Sequence, residues 1–338
     1  MKSSINQDKA TLIQSVLDTI DPSAHTRGDY YLKKSREDIG YTIDFTIESL
    51  KANDLTILKN YYRWLIDTLE PYGIKPPILF AMFDALKTAL RPYLSTEEKN
   101  LLMSLSKEDV AAYIANNKDN IKPLDALAKP FLDAILDKNR QQASQYIHAL
   151  LDSGTELKKI YLEIIQSSMI EVGRLWQARK INVADEHMAT VITQYVLTEL
   201  YPYIFSSEKN GKKIAALALG SELHEIGIRM VADFFELSGF ESHYLGANMP
   251  TSGVIDFLKD TKVDLIAVSV TIASHLSTLQ TLIDVIRDDN ELASIKILIG
   301  GQAIAQMNDP VTHFGADGFA RDAEGAVKEG EALVNNVK

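Results

Sequence analysis

From Lys212 onward, short apolar runs alternate with amphipathic helical stretches, and few folds accept that alternation. Strand-like runs fall at 214–219, 241–245, 265–270, 295–299 and 318–320, with helical periodicity at 226–237, 251–259, 277–288 and 302–307 between them and a last helix after Asp322. Such a series builds a five-stranded parallel sheet covered by helices, whose ligands bind in the loops at the carboxyl ends of the strands. Those loops hold His224, then Ser269 to Thr271, then Gly300 to Gln302, then Arg321 and Asp322. Gly220 ends the first strand and a helix starts near Ile226, so His224 stands in the loop between them.

The loop residues narrow the chemistry. A nucleotide-phosphate loop would place three glycines at Gly-x-Gly-x-x-Gly spacing after the first strand, where this chain has Glu222, His224 and Gly227 instead. The acidic cluster and lysine of a phosphate-receiving regulator are absent. Small residues in two loops leave a slot between strands for an extended group. A histidine at its mouth offers a ring nitrogen to a metal above the sheet. Glu222, two residues earlier, is placed to accept the other ring N–H. Taken alone, a histidine in such a loop is most often structural or merely exposed.

Cysteine is absent, which excludes disulfides, thiolate metal sites and thioether-linked chromophores. A net charge of -11 without any dense Lys/Arg stripe argues against nucleic acid and anionic membranes as partners. The first residues lack a signal-peptide apolar run, and no stretch approaches the length of a membrane span. A cytoplasmic protein is expected.

Before the sheet the periodicity is helical throughout. Residues 1–120 read as one helical domain: helices over 30–50, 55–69 and 78–93, another opening at the Ser95 to Glu98 capping pattern, and one after Ser106. It is rich in aromatics, among them Tyr41, Phe45, Tyr61, Tyr62, Trp64 and Phe83. These suit a small core, or a flat pocket for a planar pigment near Arg36 or Asp38. Residues 121–207 read as an antiparallel four-helix bundle with helices over 123–137, 138–153, 155–179 and 182–205. Residues 208–338 then form a flavodoxin-like sheet domain. Trp176 at the end of the third bundle helix and Asp185, Glu186 and His187 at the start of the fourth meet at one end of the bundle. They form either an ordinary cap or a roof over a large apolar ligand.

His224 with Gly227, Ser269, and the Gly300–Gly301 pair resemble the signature of cobalamin-binding domains, Asp-x-His-x-x-Gly, Ser-x-Leu and Gly-Gly. The resemblance implies that His224 is the lower axial cobalt ligand, that Glu222 orients it, and that Ser269 contacts the displaced base. Leu223, Ile226, Gly227, Thr271, Gly300 and Gly301 would line the site. Glu222 stands where the family has Asp, and Thr271 where it has Leu. Trp176, Glu186 and His187 resemble the cap of adenosylcobalamin photoreceptors, in which they enclose the upper adenosyl group. In several of those a histidine follows the Trp; here the residue is Gln177.

The first 120 residues look like a globin- or phycobiliprotein-like helix set, and with the rest of the chain are similar to the photocobilins. That likeness implies a noncovalent bilin such as biliverdin beside adenosylcobalamin, and a light-driven, signalling homodimer that is not an enzyme, with its downstream partner open. The alternative is a corrinoid protein carrying methyl groups for a methyltransferase system.

Overall fold

The computed structural model describes residues 2–21, 28–117, 124–205, 208–221 and 223–335. The chain divides into two compact units, one of residues 1–120 with 306–308 and one of the remainder.

The first unit is helical: α1 (Lys2–Ile20), α2 (Asp29–Lys51), α3 (Leu55–Leu69), α4 (Pro76–Leu90), α5 (Thr96–Ser104) and α6 (Lys107–Asn116). Asp54 caps α3 by accepting the Thr56 N–H at 2.8 Å and Ser95 closes a capping box with Glu98, as their spacing predicts, and the Ser106 cap also proves to be a box, with Asp109. Helix α1 was not expected. Its buried Ile5, Leu12, Val16 and Leu17 share one face, but the polar residues around them dilute the apolar signal. Tyr62 and Phe83 meet edge to face at 5.0 Å in the core, and Phe45 stacks on Tyr61 at 4.1 Å. Arg36 donates to Gln14 at 2.8 Å, and partial burial lifts the Asp38 carboxyl to about 6.

The second unit begins with α7 (Ala128–Leu136), α8 (Arg140–Asp152), α9 (Leu157–Lys159), a π-helical stretch (Ile160–Gln166), α10 (Ser167–Gln177), α11 (Val183–Glu199) and α12 (Tyr201–Ile204). The expected fourth bundle helix over 182–205 is in fact two, because Pro202 has no N–H to carry the ladder past Glu199. Asn182 starts α11 by accepting the Ala184 and Asp185 N–H groups at 2.8 and 3.0 Å.

The sheet domain follows as β1 (Lys213–Leu219), α13 (Ile226–Leu237), β2 (Glu241–Met249), α14 (Thr251–Thr261), β3 (Leu265–Ser269), α15 (Leu276–Asp288), β4 (Lys296–Gly300), α16 (Gln302–Ala305), α17 (Pro310–Phe314), β5 (Gly318–Phe319) and α18 (Ala323–Asn335). All strands are parallel in the order β2-β1-β3-β4-β5, the doubly wound topology foreseen. The helix expected over 302–307 stops at Ala305, and α17 is additional, capped by Asp309 accepting the Thr312 N–H at 3.2 Å.

One continuous core joins bundle and sheet, including Phe131, Ile164, Val196, Ile228, Phe234 and Leu265. A buried polar contact pins the two layers inside it. The Tyr161 hydroxyl on the π stretch donates to Asp233 of α13 at 2.9 Å. Burial raises the Asp233 carboxyl to about 6, and it also raises the tyrosine. An acid lifted in this way stabilises the fold while protonated, and that contribution is lost as pH rises through about 6. Asn at this position keeps an acceptor for the tyrosine without the charge. Asp233→Asn should therefore gain on the native chain by about 1–3 kcal/mol between pH 4 and pH 8, read from thermal melts at both values.

Candidate functional site

Strand β1 is apolar and buried from Ile214 to Leu219 and ends at Gly220, whose φ of +71° lets its N–H turn back to the Met249 carbonyl at 3.1 Å. The chain then leaves the sheet. Leu223 is 74% exposed and His224 is exposed in the loop before α13. Glu222 lies outside the described residues. Glu225, which sequence reasoning passed over, is held on both carboxylate oxygens: Gln194 of α11 donates to one, and the Tyr244 hydroxyl of β2 donates to the other at 3.0 Å. Ile226 opens α13 and is half-buried.

Beside this loop a cavity of about 120 Å³ runs between the sheet and the helices, roughly ten times the space one ordered water needs. Its wall brings together Gly227, Ser269, Gly300 and Gly301, as the loop positions predict. Thr271 is not in that wall. Gln166, Arg321, Asp322 and Ala326 are, and Gln166 belongs to the bundle.

The glycines do different things there. A Cβ on Gly227 would meet nothing within 4 Å, so its absence keeps the cavity open rather than the backbone free. Gly301 has φ +94°, and a Cβ there would come within 2.5 Å of the Val270 carbonyl oxygen. That closeness seats β4 against β3, where Ser269 pairs with Gly300.

Above the loop, Gln166 faces the cavity, and helical spacing puts Ile170, Gly173 and Gln177 on the same side. Ile170 is 65% exposed and a Cβ on Gly173 would meet open space. Trp176 is half-buried on the last turn of α10. Glu186 and His187 are in contact, His187 Nδ1 to Glu186 Oε2 at 2.6 Å, and Thr190 donates to the other Glu186 oxygen at 3.1 Å. The His187 side chain is 71% exposed. Asp185 is taken up by the helix cap and by Lys138 at 2.8 Å.

An exposed histidine, a slot walled by glycines beside it and an uncovered helix face carrying Ile170 above it fit a large planar metal complex with a tail. Among the described residues no group of three or more His, Asp or Glu side chains converges on a metal position. A tetrapyrrole-like ring brings its own equatorial nitrogens, so one axial histidine is all such a complex asks of the protein. No helix among the described residues is long and apolar enough to cross a membrane.

Comparison with known proteins points to the same class of ligand. Residues 212–329 match the B12 binding domain family, and residues 127–201 match a second B12 binding domain family. Together they take in more than half of the chain, and they place it among the cobalamin-binding proteins.

Its relatives are more particular. Dimethylamine corrinoid protein 1 of Methanosarcina acetivorans is 27% identical over 50% of this chain and 80% of its own length. Dimethylamine corrinoid protein 3 of Methanosarcina mazei is 27% identical over 48% of this chain and 95% of its own. The solved monomethylamine corrinoid protein of Methanosarcina barkeri shares the fold, with a TM-score of 0.55 at 20% identity, over 61% of this chain and 98% of that one.

These relatives overturn the light-sensor expectation, and with it the photocobilin assignment and its bilin. The Trp176, Glu186 and His187 cap carried that expectation, yet the proteins this chain resembles are named for corrinoid and methylamine. They are named as corrinoid proteins rather than as methyltransferases, in line with a chain that is not itself the catalyst.

Proposed function

We propose that the chain is a corrinoid protein that carries a methyl group for a methyltransferase system. The observation behind this is the reach of the resemblance: the dimethylamine corrinoid proteins align over 74–95% of their own length in three cases. When bound, the cobalt corrinoid supplies the atom on which the methyl group rides. The chain's own residues hold it. His224 would give a ring nitrogen to the cobalt, and Glu222 would keep that ring in one tautomer. Ser269 offers a hydroxyl at the mouth of the slot, and Gly227, Gly300 and Gly301 keep the slot deep enough for the nucleotide tail. Leu223, Ile226 and Thr271 stand outside the cavity wall and would meet the bound corrinoid rather than its tail.

Above, Ile170 would cover one side of the bound corrinoid, with Glu186 and His187 at the same end of the bundle. The upper ligand in this reading is methyl rather than adenosyl, and the protein partner is a methyltransferase. The test is transfer itself. The full chain is loaded with hydroxocobalamin, reduced, and mixed with a methylamine and its methyltransferase. Mass spectrometry of the released corrinoid then shows one methyl group per chain. Failure to acquire methyl from any methylamine, with cobalamin stoichiometrically bound, rejects the proposal.

A further inference from the structure

The geometry points to Glu225 as a positioning residue that ties the His224 loop to bundle helix α11, so that the histidine and the bundle face above it move together. This rests on His224 being the lower ligand of a bound corrinoid. Glu225 follows His224 directly and precedes the first residue of α13. One of its oxygens accepts from Gln194 and the other from the Tyr244 hydroxyl at 3.0 Å, so bundle and sheet grip the same carboxylate. Its backbone carbonyl accepts the Arg229 N–H at 2.9 Å.

Arg229 repeats the connection one turn on. Its guanidinium is buried, donates to the Gln194 carbonyl at 3.2 Å and to the Thr198 hydroxyl at 2.8 Å, and lies over the Tyr201 ring at 5.2 Å. The start of α13 is thus fastened to α11 at two successive levels. Gln194 stands one turn from Thr190 and two from Glu186, and Thr190 donates to Glu186. A line of side chains therefore leads from the upper face of the site to the residue beside His224. Displacing α11, by a bulky upper ligand or a docked partner, pulls on the loop that holds the lower one.

The test reads the histidine bond directly. The full chain, labelled with 15N, is loaded with unlabelled cobalamin and reduced to Co(II), and the 15N doublet splitting in the electron paramagnetic resonance spectrum, distinct from the triplet of the cofactor's own base, gives the ratio of His-bound to His-free cobalt. Glu225→Ala and Gln194→Ala should each lower that ratio about tenfold, the cost of one hydrogen bond to a charged group. The double variant should be no worse than either single one. Glu225→Gln keeps an acceptor for Gln194 and should restore the ratio to within about twofold of the native value. An unchanged ratio in both alanine variants, with His224→Ala wholly His-free, overturns the tie and leaves the ligand reading intact. Persistence of the splitting in His224→Ala instead removes the ligand reading, and the tie with it.

Discussion

His224→Ala leaves the chain folded and strips bound cobalamin of its protein nitrogen. The side chain is exposed in a loop that belongs to neither core, so its removal takes little from the fold: surface changes of this kind stay within about 0.5 kcal/mol. The effect on the ligand is far larger. Losing an outer hydrogen-bond partner of a metal ligand costs roughly 10–100-fold in affinity, and losing the ligand itself costs more. Equilibrium dialysis against hydroxocobalamin should show a loss beyond a hundredfold, with an absorption spectrum that no longer reports histidine ligation. A variant that binds as tightly as the native chain, with the same spectrum, excludes His224 from the metal.

Gly301→Ala acts through the fold. The residue sits at φ +94°, where any L side chain is strained, and its new methyl would come within 2.5 Å of the Val270 carbonyl oxygen and 2.7 Å of the Val270 nitrogen. That carbonyl already accepts the Ala303 N–H at 3.1 Å, and the Val270 N–H donates to Gly300 at 2.9 Å, so the backbone has no room to yield without giving up a bond. Strain plus displacement should cost at least about 3 kcal/mol, lowering the melting temperature by roughly 6–12 °C in a unit of this size. Gly227→Ala is the contrast. Its methyl meets open space within a helix, where Ala outranks Gly by about 1 kcal/mol, so the melt should rise slightly while cobalamin affinity falls as the methyl enters the cavity. If both variants melt alike, the two glycines do not divide their work between fold and ligand.

The pattern that made the sheet legible is local. Each strand is a short apolar run and each ligand loop begins with a residue that stops it, so the wall of the cavity could be placed by counting from Gly220, Ser269 and Gly300. Capping signals at Asp54, Ser95 and Ser106 are local as well, and they held. What escaped is nonlocal or masked by composition. Glu225 is bound by residues 31 and 19 positions away, and nothing near it in the chain signals either partner. Gln166 reaches the cavity from another layer. Helix α1 hides four core residues among polar ones. The functional error had a different origin: a Trp, a Glu and a His at one end of a bundle are compatible with more than one upper ligand, and the residues alone do not say which.

The π-helical stretch between Tyr161 and Gln166 fixes a rotational phase. Tyr161 near its start is moored to α13, Gln166 is its last residue, and Ile170 and Trp176 project from the helix that follows. A π turn holds one residue more than an α turn, which makes it a one-residue insertion kept in a regular helix. Deleting any single residue from 162–165 would restore an ordinary α-helix and turn α10 by about 100° relative to its mooring. Ile170 would leave the site, and a residue from the far side of the helix would take its place. The length of one helical segment, counted to the residue, therefore decides which side chains the bundle shows to its ligand.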